Sequence, residues 1–183
     1  MTTPAMLAAS AAAFGARPAL LDGDVQLSYA ALAAAVRTAT RALIATGVAP
    51  GDKVAIWAPN QWEWVVAALA AHEAGAALVP ISTRFKGHEA GDLLARSGAR
   101  TLFTGRGFLG TDSPALPEPA GAPLPPTTIV MRGTPSDGTR DWHSFIAAGA
   151  KVPDSVAAAR AAAVRPEALS DIIYTSGTTG RAK

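Results

Sequence analysis

Residues 172–183 carry the side chains best suited to chemistry: I-I-Y-T-S-G-T-T-G-R-A-K. Ile172, Ile173 and Tyr174 have the composition of a buried strand, with Asp171 just before them. Gly177 and Gly180 cannot extend that strand, but they let the backbone approach a ligand closely. Thr175, Ser176, Thr178 and Thr179 add hydroxyl donors, and Lys183 adds a mobile point charge. Backbone N–H groups, hydroxyls and a lysine in one loop make a phosphate cradle. The spacing is not that of a Walker A loop, because Gly177 and Gly180 are three apart and Lys183 lies three further on. The bland alternative is an ordinary Gly/Ser/Thr turn.

Other constellations carry less. Gly105, Gly107 and Gly110 spell Gly-x-Gly-x-x-Gly after an expected strand, but Thr111-Asp112-Ser113-Pro114 cannot open the helix a dinucleotide fold requires. His72, His88 and His143 are too dispersed for a metal site, and His72-Glu73 reads as serving a helix end. Trp57, Trp62 and Trp64 read first as core residues, with a substrate or subunit contact as the second reading. There is no Gly-x-Ser-x-Gly elbow.

Composition narrows the class. The chain has 183 residues, 49% of them hydrophobic, enough for one domain with a real core. A formal net charge of +2 with no basic block argues against a nucleic-acid partner. The absence of cysteine excludes disulfides and thiolate chemistry and fits a cytoplasmic location. No apolar run approaches the ~20 residues of a membrane span.

The elements that must present the terminal loop follow from caps and periodicity. Helices are expected at 6–14, 29–46, 61–74, 87–97, 141–148 and 157–164. Ser28, Asn60 and Asp141 read as N-caps, and Gly15, Gly47, Gly75 and Gly98 read as terminators. Residues 19–21 and 25–27 flank Asp22-Gly23-Asp24 as a hairpin. Strands are expected at 53–57, 77–81, 101–104, 127–131 and 171–175. Prolines at 114, 117, 119, 123, 125 and 126 make 105–126 a flexible surface excursion. Alternation of strand and helix predicts an α/β fold: βαβ units forming a mostly parallel sheet flanked by helices.

At these residues the sequence resembles the adenylate-forming enzymes, which include acyl-CoA synthetases, luciferases and peptide-synthetase adenylation domains. Tyr174 to Lys183 looks like their phosphate-loop signature. Pro59-Asn60 with Trp62-Glu63-Trp64-Val65, then Ala74-Gly75-Ala76 and Val79-Pro80-Ile81, resemble the first family stretches. Thr83-Arg84-Phe85 with Glu89 resembles the next, and Arg165-Pro166-Glu167 and Asp171-Ile172-Ile173 resemble the approach to the loop. Ala182 departs from the usual proline, which implies altered loop stiffness. The runs Ala55 to Asn60 and Asp141-Trp142 look most like actinobacterial acyl-CoA synthetases, the steroid-ring propanoate CoA ligases nearest.

The resemblance implies the amino-terminal portion of an AMP-binding domain, cut within its phosphate loop, from the large domain of a ligase. The full-length enzyme would use ATP, Mg2+ and CoA on a carboxylic acid, forming an acyl-adenylate and then a thioester. By this resemblance Thr175, Ser176, Gly177, Thr178, Thr179 and Gly180 wrap the β- and γ-phosphates, and Lys183 is the catalytic cation. The family's adenine, ribose and carboxylate determinants are absent up to Lys183, so this chain alone is expected to be inactive. The resemblance also admits a homodimeric full-length form. Two alternatives stay open: a non-catalytic nucleotide- or phosphate-binding α/β module, and an adenylation domain that loads a carrier protein.

Overall fold

Most strands of the main sheet are short runs of mainly apolar and β-branched residues, and alternate residues go to opposite faces. The computed structural model describes residues 1–105 and 125–175. A hairpin of β1 (Pro18–Asp22) and β2 (Val25–Ser28) stands apart, turning at Gly23. The main sheet holds β3 (Lys53–Trp57), β4 (Ala77–Pro80), β5 (Thr101–Thr104), β6 (Thr127–Val130) and β7 (Arg140–Asp141). Its order is β4-β3-β5-β6-β7, and every pairing is parallel. The expected α/β fold is therefore found. The expected excursion, with Gly107 and Gly110, lies outside the described residues apart from its margins, as does the loop from Ser176 to Lys183.

The helices are α1 (Thr3–Phe14), α2 (Tyr29–Ala45), α3 (Trp62–Glu73), α4 (Gly87–Ser97), α5 (Trp142–Ala148) and α6 (Asp154–Ala162). Ser28 caps α2 by accepting from Ala31 N–H at 3.2 Å, and Asp141 caps α5 by accepting from Ser144 N–H at 2.9 Å. Gly98 closes α4 at φ 65, where a side chain would be strained. Gly149, just after α5, lies so close to α2 that an added Cβ would stand 2.7 Å from Ala42 N.

Chain direction decides which face each helix covers. From β3 the chain moves one way through α3 to β4, then returns across β3 through α4 to β5. Right-handed crossovers with opposite senses put α3 and α4 on opposite faces. Val54, Ile56, Leu78, Phe103 and Ile129 point to the α3 side, where α1, α2 and α5 also pack. Ala55, Val79 and Leu102 point to the α4 side.

Three expectations are corrected. Residues 171–175 do not form a strand: Asp171 makes a single parallel bridge to Leu78, and Ile173 is exposed. The apolar run is instead an edge segment whose Ile172 and Tyr174 lie over the α4-side core. Asn60 does not cap α3; its N-cap is Gln61, and Asp22 of the hairpin accepts from Trp62 N–H at 3.0 Å. His72-Glu73 does not serve the helix end: Glu73 turns toward α2 and His72 toward Asp171.

Candidate functional site at the carboxyl edge of the sheet

Parallel strands bring their carboxyl ends to one edge, and open α/β sheets bind ligands in the crevice beyond it. That edge is lined by Trp57 and Ala58 after β3, Pro80 and Ile81 after β4, and Thr104 and Gly105 after β5. An added Cβ on Gly105 would lie 3.7 Å from Pro59 Cδ, so the β3 and β5 exits are already in close approach. Trp57 Nε1–H donates to the Ser82 carbonyl at 3.1 Å and ties the β3 exit to the β4 exit.

The loop-bearing segment reaches the same edge. Leu78 N–H donates to Ser170 O at 2.8 Å, and Ile172 N–H donates to Leu78 O at 2.8 Å. Because this bridge is parallel to β4, the following residues run toward the carboxyl edge. The Tyr174 ring sits beneath the Arg96 guanidinium at 5.1 Å. Thr175 is exposed there. Of the expected phosphate-binding residues, Thr175 alone is described; Ser176, Gly177, Thr178, Thr179, Gly180 and Lys183 lie outside.

One polar cluster at this edge escaped the sequence reading. Arg132, two residues past β6, meets Glu63 on the first turn of α3 through two donors, Nε at 2.9 Å and Nη2 at 2.8 Å. Arg132 Nη2 also reaches Asp22, whose carboxylate already caps α3. Glu63 is only 5% exposed, so the two-point guanidinium contact is what makes its burial tolerable. The Trp62 N–H, and next the Arg132 guanidinium, hold the Asp22 carboxyl below the usual carboxylate range. The Glu63 carboxylate pushes Arg132 the other way, further into its protonated form. This cluster ties the hairpin, the first turn of α3 and the β6 exit together at the carboxyl edge.

A second buried carboxylate, Glu73, sits between α2 and α3. Thr40 Oγ1–H donates to it at 3.1 Å and Arg37 Nε lies 3.4 Å away. Burial outweighs these partners and pushes its carboxyl above the usual range. The sequence held a signal for both acids. Helix α3, W-E-W-V-V-A-A-L-A-A-H-E, is apolar nearly all round, so it must be buried and its two glutamates must find partners.

Trp57, Trp62 and Trp64 pack against the two cores, and each is itself only partly buried. Trp62 packs edge-on to Trp142 at 5.9 Å between centroids, and Phe103 and Phe145 complete the set. Trp64 packs against the same core, and Trp57 against the α4-side core. Among the described residues no three His, Cys, Asp or Glu side chains are grouped to hold a metal ion. No described helix is long and apolar enough to cross a membrane.

Comparison with known proteins agrees with this geometry. The chain is 50% identical over 165 residues to a (7a-methyl-1,5-dioxo-octahydroindenyl)propanoyl:CoA ligase of Mycobacterium tuberculosis, covering 90% of this chain and 32% of that protein. It is 43% identical over 189 residues to the like-named ligase of Rhodococcus jostii, covering 100% of this chain and 36% of that one. It thus spans about a third of these relatives' length. Among solved structures, an anthranilate CoA ligase complexed with anthranoyl-AMP matches the fold with TM-score 0.83 at 23% identity, over 100% of this chain and 34% of that one. The N-terminal domain of FACL13 from Mycobacterium tuberculosis matches with TM-score 0.69 at 25% identity, over 100% of this chain and 43% of that one. The model of the AMP-binding enzymes matches residues 7–183, and the chain belongs to that family.

Proposed function

We propose that this chain is the amino-terminal portion of an AMP-forming acid–CoA ligase, and that residues 175–183 are its ATP phosphate loop. The observation that carries the reading is that the family match extends through Tyr174 to Lys183, and the described residues that lead into this stretch, Asp171 to Thr175, run parallel to β4 toward the carboxyl edge. In the first half-reaction a substrate carboxylate oxygen attacks the ATP α-phosphorus. The bond to the bridging oxygen breaks, giving acyl-adenylate and pyrophosphate. In the second, the CoA sulfur attacks the acyl carbon and AMP leaves.

The work assigned to this chain is electrostatic. Charge develops on the departing pyrophosphate, and fixed donors stabilise it at no reorganisation cost. The N–H groups and hydroxyls from Thr175 to Gly180 supply donors, and Lys183 supplies the cation. A Mg2+ ion bound to the ATP phosphates would share that charge. The same reading places the enzyme in the cytoplasm and admits a homodimer.

The acid we propose is a propanoate attached to a fused, ketone-bearing ring system, as in the names of the two most similar relatives reported above. The test is AMP release and acyl-CoA formation by the complete ligase. The bicyclic diketo-propanoate, palmitate and 3-hydroxybenzoate would be compared. Preferred turnover of the first is expected. Exchange that depends on an amino acid, with no acyl-CoA formed, would overturn the reading in favour of a carrier-loading domain. The 183-residue chain alone is expected to give no carboxylate-dependent ATP–pyrophosphate exchange.

A further inference from the structure

The main sheet has an unfinished edge. β4 is an outermost strand, and the residues whose backbone groups face outward from it are Leu78 and, by alternation, Pro80. Leu78 donates its N–H to Ser170 O and accepts from Ile172 N–H, both at 2.8 Å. Pro80, two residues on, has no N–H to continue the ladder, and β4 takes up a single bridge. Further growth of the sheet on this side must therefore add to the outer side of residues 169–173.

That outer side is open. Ser170 and Ile172 turn backbone groups to β4, so alternation turns those of Asp171 and Ile173 away from it. Among the described residues no partner meets the N–H or C=O of Asp171 or of Ile173. The side chains repeat the pattern. Ile172 and Tyr174 pack on the α4-side core, whereas Ile173 is 69% and Leu169 59% exposed. Leu169 also borders a cavity of about 220 Å³ with Met1, Pro4 and Val164, so apolar surface continues beyond the open backbone. Exposed sheet edges are ordinarily blunted by lysine, proline or a bulge. The run Ala168-Leu169-Ser170-Asp171-Ile172-Ile173-Tyr174 holds no proline, lysine or arginine.

We propose that residues 169–173 are a strand-addition site, filled in the complete ligase by an extended segment from the remainder of its chain. Such a segment would pair its backbone with Asp171 and Ile173 and lay apolar side chains over Leu169 and Ile173. The proposal rests on the reading of this chain as the amino-terminal portion of a longer ligase, since it spans 32% and 36% of two relatives. A second copy of the chain is a poorer occupant. Open backbone at Asp171 and Ile173 alone falls far short of the ~800 Å² per partner that a stable dimer buries. A covalently linked segment needs no such area, because its effective concentration is high.

Hydrogen exchange on the complete ligase reads the contact without relying on catalysis, with β3 amides as the internal reference. The Asp171 and Ile173 amides should be protected at least about 100-fold there. In the 183-residue chain they should exchange near the intrinsic rate at every protein concentration. Ile173→Cys adds a side-chain readout, followed by mass spectrometry of the labelled peptide. Its thiol should react at least about tenfold more slowly in the complete ligase than in the shorter chain. Unprotected Asp171 and Ile173 amides in the complete ligase, beside protected β3 amides, overturn the proposal. Protection in the 183-residue chain that grows with concentration also overturns it, and gives the edge to a second copy. Equal labelling of Ile173→Cys in both proteins overturns the apolar cover. A complete protein that protects this edge but forms no acyl-CoA overturns the ligase reading and leaves the strand-addition site standing.

Discussion

The two faces of the parallel sheet are built differently. On one, Val54, Ile56, Leu78, Phe103 and Ile129 lie beneath four helices, and the Trp62, Phe103, Trp142 and Phe145 rings interlock. On the other, Ala55, Val79 and Leu102 are covered by α4 alone among the described helices, with Ala90, Leu93 and Leu94 supplying its contact. That second core is completed by Trp57, Phe85, Ile172 and Tyr174, all from segments at the carboxyl edge. The thick face is self-sufficient, whereas the thin face borrows side chains from the segments that serve the site. The segment from Asp171 to Thr175 is therefore held by packing of Ile172 and Tyr174 more than by strand pairing.

That contrast can be broken by mutation. Phe103→Ala removes a fully buried ring from the thick face and should cost about 3–5 kcal/mol in urea unfolding. Leu93→Ala, 1% exposed on the thin face, should cost less, about 2–3 kcal/mol. Equal losses would erase the difference between the faces.

Arg132→Ala comes next. It strands the buried Glu63 carboxylate, but Arg132 is itself 44% exposed, so the loss should be about 2 kcal/mol. A loss as small as a surface ion pair would mean that water can replace Arg132 and that it does not lock the hairpin to α3 and the β6 exit.

The smallest effects are read by pH. Burial holds Glu73's carboxyl above the usual range, so the folded chain keeps that proton more tightly than the unfolded chain. Its contribution is therefore favourable at low pH and falls as pH rises through the raised value. Glu73→Gln should remove that fall, so the variant's urea midpoint gains on the wild type between about pH 4 and about pH 7. Asp22 has the opposite sign. Its carboxyl is held low by Trp62 N–H and Arg132, so its stabilisation is complete above the ordinary carboxylate range and is lost as pH falls. Asp22→Asn should flatten the acid limb of the same stability profile.

Local signals in the sequence located most of the elements. Ser28 and Asp141 cap the helices they precede, Asp22-Gly23-Asp24 turns the hairpin, and Gly98 ends α4. What local signals cannot carry is a partner distant in the chain. The α3 N-terminus is capped by Asp22, forty residues earlier, so the nearby Asn60 was the natural but incorrect choice. Strand β7 is two residues held only by pairing to β6. Ile172 and Ile173 have strand composition, yet the sheet takes up only Asp171, because Ile172 and Tyr174 are used in packing. The candidate loop was legible from residue types alone. The Asp22–Glu63–Arg132 lock was not, since its members lie on three separate elements.

The reading of residues 175–183 as the phosphate loop is tested most directly by carboxylate-dependent ATP–pyrophosphate exchange in the complete ligase, wild type against Lys183→Ala. Losing one fixed charge on the developing pyrophosphate should lower the exchange rate by about 100-fold or more while leaving the folded state intact. Exchange at the wild-type rate in that variant would contradict the assignment of Lys183 and of the loop that carries it.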